Sequence, residues 1–171
     1  MQYIDHKELA KNGQVEPVTK DNLERVKDEA REMIRLCFKR HGKHPSAQAI
    51  AHPQVSAKPL TFFVTATGNV YINPTVVARS GTVALRKEGC MSFPHSEPTI
   101  VPRHYQVRVR YQTPESVLED EWYEQDYKDV QGQVMQHEID HLYGLSPYSY
   151  TEEMVAAYKD NDYEKVLLLS L

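Results

Sequence analysis

Apolar residues recur at intervals of three and four through Leu23, Val26, Ala30, Met33, Ile34 and Cys37, with charged residues between them. Such positions share one stripe of a helix, so the spacing predicts an amphipathic helix over about residues 21–40. "TKDNLE" offers capping side chains at its start, and "HGKHP" the glycine and proline that stop it. Prolines at 45 and 53 keep "PSAQAIAHPQV" out of any long helix and predict an extended or looped stretch. "LTFFVTA", "VYINPTVV" and "GTVALRKEGC" are rich in β-branched and aromatic residues and bounded by turn formers, as strands are. "HYQVRVRYQ" alternates Tyr105, Val107, Val109 and Tyr111 with Gln106, Arg108 and Arg110, which gives a strand one apolar and one charged face. "TPESVLEDEW" then reads as an excursion that carries acidic residues into solvent.

A second helix is predicted from near Tyr127 through Val130, Val134, Met135, Ile139 and Leu142 to a stop at Gly144. The tail "TEEMVAAYKDNDYEKVLLLSL" reads as one last helix, with a break at "KDND" left open, or as an amphipathic docking segment. No repeat, low-complexity tract or linker divides the chain, so its 171 residues are expected to form a single domain, 1–171. The expected fold class is α+β: antiparallel sheets packed around a central helix, with an N-terminal amphipathic helix and a C-terminal helical segment.

Charge narrows the function classes. Twenty Lys and Arg against 24 Asp and Glu leave a net −4 with the signs interspersed, which argues against sequence-specific contact with nucleic acid. No stretch reaches the roughly 18 continuous apolar residues of a membrane span, and "MQYIDHKELAKNG" lacks the basic-then-apolar pattern of a secretory signal. A soluble, cytoplasmic protein is expected. Cys37 sits on the apolar stripe of the first helix and reads as a packing residue, whereas Cys90, beside a glycine in "KEGCMSFP", lies outside any helical pattern.

The second helix carries "QHEIDHLYG" at 136–144. Residues four apart lie one turn apart on the same side of a helix, so His137 and His141 can reach one point, as two imidazoles must to share a metal ion. Glu138 sits on the adjoining edge, able to touch a metal-bound water without ligating the metal. This HExxH pattern supplies two ligands, and a catalytic site of the type commonly has three. Glu152 and Glu153 can be nominated downstream, as in an HExxH metallopeptidase; Cys90 upstream is the better candidate. A thiolate with two imidazoles suits zinc or iron.

"EGCMS" at 88–92 followed by "QHEIDHLYG" resembles the peptide deformylases, whose motifs read EGCLS and QHExDHLxG; Met91 stands in place of leucine. "VPR" at 101–103 and the long helix before the Ala-rich segment add to the likeness, which spans about residues 15–150. The family's third motif, GxGLAAxQ, corresponds to "AQAIAHPQ" at 47–54: Gln54 is retained, Ala47 and Ala49 replace both glycines, and His52 replaces the second alanine. In the family this segment runs along the bound peptide, so the added methyls and imidazole are expected to narrow the groove or change which peptides fit.

The resemblance implies removal of the N-formyl group from the initiator methionine of nascent chains, with release of formate. It implies Cys90, His137 and His141 as ligands of one divalent metal per chain, ferrous iron in the cell, with zinc, nickel or cobalt accepted in the purified protein. Glu138 would be general base and acid, and Gln54 and the Met91 N–H would face the oxyanion. Glu88 would pair with Arg103 to hold the loop bearing Cys90, with Asp140 as a further supporting carboxylate. By position, Ile50, Ala49, Gln133 and Val134 are candidates for the methionine pocket and peptide groove. N-formylmethionyl nascent peptides are the expected partners, and a transient ribosome contact is left open for the tail. The altered third motif also keeps open a deformylase-like protein that only binds peptide termini.

Overall fold

The computed structural model describes residues 1–5, 7 and 15–171, so of the N-terminal stretch 1–13, residues 6 and 8–13 lie outside the described residues. The first predicted helix is α1, Leu23–Cys37, entered through a short 3₁₀ turn at Lys20–Asn22. The turn opens at Thr19, whose backbone N–H donates to Asn22 Oδ1 at 2.9 Å. The Ala-rich segment supplies only a three-residue strand, β1 (Ala49–Ala51), followed by a 3₁₀ turn at His52–Gln54. Then come β2 (Phe62–Thr65), β3 (Val70–Arg79), β4 (Val83–Glu88), β5 (Thr99–His104) and β6 (Gln106–Gln112).

Five strands make one antiparallel sheet in the order β1-β2-β3-β6-β7, where β7 is Tyr123–Lys128; β4 and β5 make a second, two-stranded one. The run "TIVPRHYQVRVRYQ" thus serves both sheets, and the change comes at Tyr105, whose N–H donates to Thr82 O at 2.9 Å. The alternating period cannot announce such a switch, since both halves are extended. The acidic excursion holds a one-turn helix, α2 (Pro114–Leu118), capped by the Thr113 side chain. The motif helix is α3, Asp129–Leu142, and begins later than predicted: Tyr127 belongs to β7, an edge strand of which it is the one buried residue. The alternation there is masked because the outward and edge positions are all polar or exposed. The tail forms two helices, α4 (Glu152–Lys159) and α5 (Tyr163–Leu169), broken at "KDND", where Asn161 takes a positive φ of 58°.

The large sheet is buried on both faces. Ile50, Phe62, Val64 and Ile72 pack with the α1 stripe, while Phe63, Tyr71, Val107 and Val109 pack with Met135, Ile139 and Leu142 of α3. Phe62, Phe63 and Val64 alternate between these layers as strand geometry requires. Helix α3 touches strands of both sheets, reaching β5 of the smaller one. Two devices set it there. A methyl at Gly132 would lie 2.9 Å from the Tyr127 carbonyl oxygen, so only glycine lets the helix start so close to the strand. Gln136 clamps β5: its Oε1 accepts from His104 N–H and its Nε2 donates to His104 O, both at 2.9 Å.

Candidate metal centre

A separation of four residues, about one helical turn, brings His137 and His141 to one side of α3, with their Nε2 atoms 3.1 Å apart. The end of β4 delivers Cys90 from the opposite side, its Sγ 3.4 Å from His141 Nε2. The three donor atoms lie within 4.8 Å of one another. A tetrahedral cation at roughly 2.05 Å from nitrogen and 2.3 Å from sulfur sets N···N near 3.3 Å and S···N near 3.6 Å, close to what the side chains adopt. The donor set therefore fits a transition-metal ion. Burial works against charge on His137, yet its bonds to Cys90 and Glu88 hold its pKa well above the usual imidazole range; burial and His137 push His141 well below.

Supports surround the ligands. His137 Nδ1–H donates to Glu88 Oε1 at 2.8 Å, which turns Nε2 toward the centre. Arg103, wholly buried, grips Glu88 with two bonds, Nε to Oε2 at 2.8 Å and Nη2 to Oε1 at 2.7 Å. Its Nη1 donates to Asp140 Oδ2 at 2.7 Å. Burial would raise the Glu88 pKa, but Arg103 and His137 keep it well below the usual carboxylate range. Gln133 adds a bond from Nε2 to Glu88 Oε2 at 3.1 Å.

Glu138 is buried, with Oε1 3.9 Å from His137 Nε2 and Oε2 without a hydrogen-bond partner among the described residues. Burial pushes its pKa up to about 7. Gln54 is anchored by its Oε1, which accepts from Ala51 N–H at 2.9 Å; its Nε2 lies 3.1 Å from Ser92 Oγ and 3.6 Å from Cys90 Sγ.

A cavity of about 400 Å³ opens over these groups. Ala49, Gln133 and Val134 line it, as do Gln54, Met91 and Glu138. Ile50 does not: along β1 the side chains alternate, and Ile50 turns into the core beside α1. His52 is likewise absent from the walls. Its ring is fully buried behind β1, with Nδ1 accepting from Leu60 N–H at 2.8 Å and Nε2–H donating to Glu29, so of the altered positions only Ala47 and Ala49 face the groove. Glu152 and Glu153 are exposed at the start of α4 and are not part of the cluster.

Sequence reasoning missed Ser92, Gln136 and two tyrosines, Tyr150 and Tyr163, whose hydroxyls donate to Asp140. Neither tyrosine gave a signal: Tyr150 follows a short turn, and Tyr163, at the start of a helix in the tail, looks like any packing residue.

The family model described as polypeptide deformylase matches residues 2–156. A peptide deformylase of Thermotoga neapolitana is 34% identical over 132 residues, 75% of this chain and 73% of that protein. One of Pediococcus pentosaceus is 40% identical over 81 residues, a shorter match that spans 42% of that protein. Among solved structures, the peptide deformylase of Thermotoga maritima superposes with a TM-score of 0.71 at 28% identity, over 85% of this chain and 92% of that one. A Plasmodium falciparum peptide deformylase shares the fold, with a TM-score of 0.71 at 21% identity over 99% of this chain and 98% of that one. A family model that matches residues 2–156 and a relative 34% identical over three quarters of both chains show that this chain belongs to the polypeptide deformylase family.

Proposed function

We infer that this chain is a metal-dependent hydrolase that removes the N-formyl group from the initiator methionine of nascent polypeptides and releases formate. The observation that carries the reading is the meeting of Cys90 Sγ with the Nε2 atoms of His137 and His141 beside the buried Glu138. One catalytic domain, 1–171, contains the whole site.

Cys90, His137 and His141 would hold one divalent cation, which when bound lowers the pKa of water from 15.7 toward about 7 and so supplies hydroxide at neutral pH. Glu138 takes up the proton set free and passes it to the departing amine nitrogen, work suited to a carboxyl held near neutrality. Gln54 Nε2 and the backbone N–H of Met91 donate to the formyl oxygen as it gains negative charge. Glu88 and Arg103 keep His137 in the tautomer that presents Nε2 to the centre, and Asp140 steadies Arg103. The peptide runs extended beside β1, an edge strand with Ala49 on the cavity wall. The methionine side chain enters between Val130, Gln133 and Val134.

Ferrous iron is the ion proposed for the cell, with zinc, nickel or cobalt in the purified protein, since one thiolate and two imidazoles suit all of these. Among the described residues no helix is long and apolar enough to cross a membrane. A cytoplasmic location and a transient contact with the ribosome accompany a substrate that is still being synthesised.

The test is formate release from a formyl-methionyl tripeptide under anaerobic conditions with iron or nickel. Turnover is expected; a metal-loaded protein that yields no formate overturns the reading and leaves a protein that only binds peptide termini. Cys90→Ala is expected to abolish metal binding. Retention of metal by that variant would favour a peptidase with a carboxylate third ligand.

A further inference from the structure

The buried charges behind the metal centre do not close on themselves. Glu88 and Asp140 are two buried carboxylates that share one guanidinium, Arg103. Without other donors, each would compete for it, and the anion left short would carry the full cost of burial. Glu88 is supplied by His137 and Gln133. Asp140 is supplied from the C-terminal segment: Tyr150 OH donates to Oδ2 at 2.8 Å, and Tyr163 OH donates to Oδ1. Tyr163 sits at the start of α5, beyond the 2–156 region that matches the family model. Its ring is held from its other face by the Arg79 guanidinium, 4.5 Å from the centroid, and α5 is docked through the fully buried Val166.

We propose that Tyr163 and Tyr150 are positioning residues for the metal centre: their phenols hold Asp140, so that Arg103 keeps both bonds to Glu88 and Glu88 keeps His137 in line. The C-terminal helices are then the last support of the ligand set. The chain of contacts runs Tyr163, Asp140, Arg103, Glu88, His137, and every link is a hydrogen bond between groups that are buried or nearly so. In Tyr163→Phe the ring still packs but Asp140 Oδ1 loses its donor. The carboxylate then draws harder on Arg103, the grip on Glu88 loosens, and the His137 ring gains freedom.

This inference rests on the proposed metal site, and the experiment separates the two. The full-length protein is loaded with cobalt, the thiolate-to-cobalt absorption band is recorded, and cobalt loss to a chelator is timed well below the melting temperature. Loss from Tyr163→Phe and from Tyr150→Phe is expected to be about tenfold faster than from wild type, at the low end of the range for supporting residues, with a shifted band. Val166→Ala is the control: it removes buried methyl groups from α5 and lowers the melting temperature, but leaves the hydrogen bonds of Tyr163 and Tyr150 to Asp140 in place, so its cobalt loss and band stay those of wild type. Wild-type rates in both tyrosine variants, or equally fast loss from Val166→Ala, would overturn the proposal while leaving the metal site standing. A wild-type protein with no thiolate band would sink the metal site itself, and this proposal with it.

Discussion

A buried carboxylate with an unpaired oxygen lowers stability, and among the described residues Glu138 is one. Such a group persists where a reaction uses it. Glu138→Gln keeps the shape and removes the proton acceptor, so kcat should fall by about 10²–10⁴ with metal content unchanged and melting temperature equal or higher; formate assays, metal analysis and thermal melts check the three. Gln54→Ala removes one donor to the developing oxyanion and should lower kcat by about 10²–10³, again with the metal retained. His52 belongs to stability rather than catalysis. Burial lowers its pKa from 6.5, with Glu29 pulling the other way, and its Nδ1 already accepts a backbone N–H. The unfolded chain therefore takes up this proton first as pH falls. Stability contributed here is full above about pH 6.5 and declines below it, by at most about 1.4 kcal/mol per pH unit. Denaturant melts between pH 7.5 and 5.5 should show that decline, and His52→Gln should flatten it.

At the scale of elements, the placement of α3 decides whether two imidazoles face the thiolate. Its first turn lies against the β7 backbone at Gly132, where an added methyl would meet the Tyr127 carbonyl oxygen at 2.9 Å. Gly132→Ala gains about 1 kcal/mol of helix propensity but forces the helix or strand to shift, and overpacking of this kind costs about 1–3 kcal/mol. A net loss of stability is expected in urea melts. The long elements were legible because their periods are long: the α1 stripe and the β6 alternation each repeat enough times to be read. β5 and β7 were not. One is hidden inside a run that changes sheets at Tyr105, and the other is an edge strand with a single buried residue, so neither shows a hydrophobic period.

Across the whole molecule, three separated segments meet at the centre: β1 with its following turn, the end of β4, and α3. A ligand that binds only this assembled state stabilises the fold by mass action. Removal of the metal with a chelator should lower the melting temperature of the wild type, and Cys90→Ala should match the stripped protein with or without added metal, as calorimetry can show. Metal bound by the folded protein would thus tie the loop after β4 to α3, beside the bonds by which Gln136 holds β5.

Sequence by itself determined the local chemistry. HExxH at helical spacing, a glycine-flanked cysteine and a retained glutamine are covalent facts of order and spacing, and the turn of a helix converts the first of them into geometry without help from the rest of the fold. Only the tertiary structure decided which way the side chains of β1 and of the turn after it point, and so put Ile50 in the core and His52 behind the groove. It also decided that Asp140 meets Tyr150 and, from the tail, Tyr163. Contacts between segments far apart in the chain depend on how sheets and helices pack, and one residue's own neighbours in sequence carry no record of that packing.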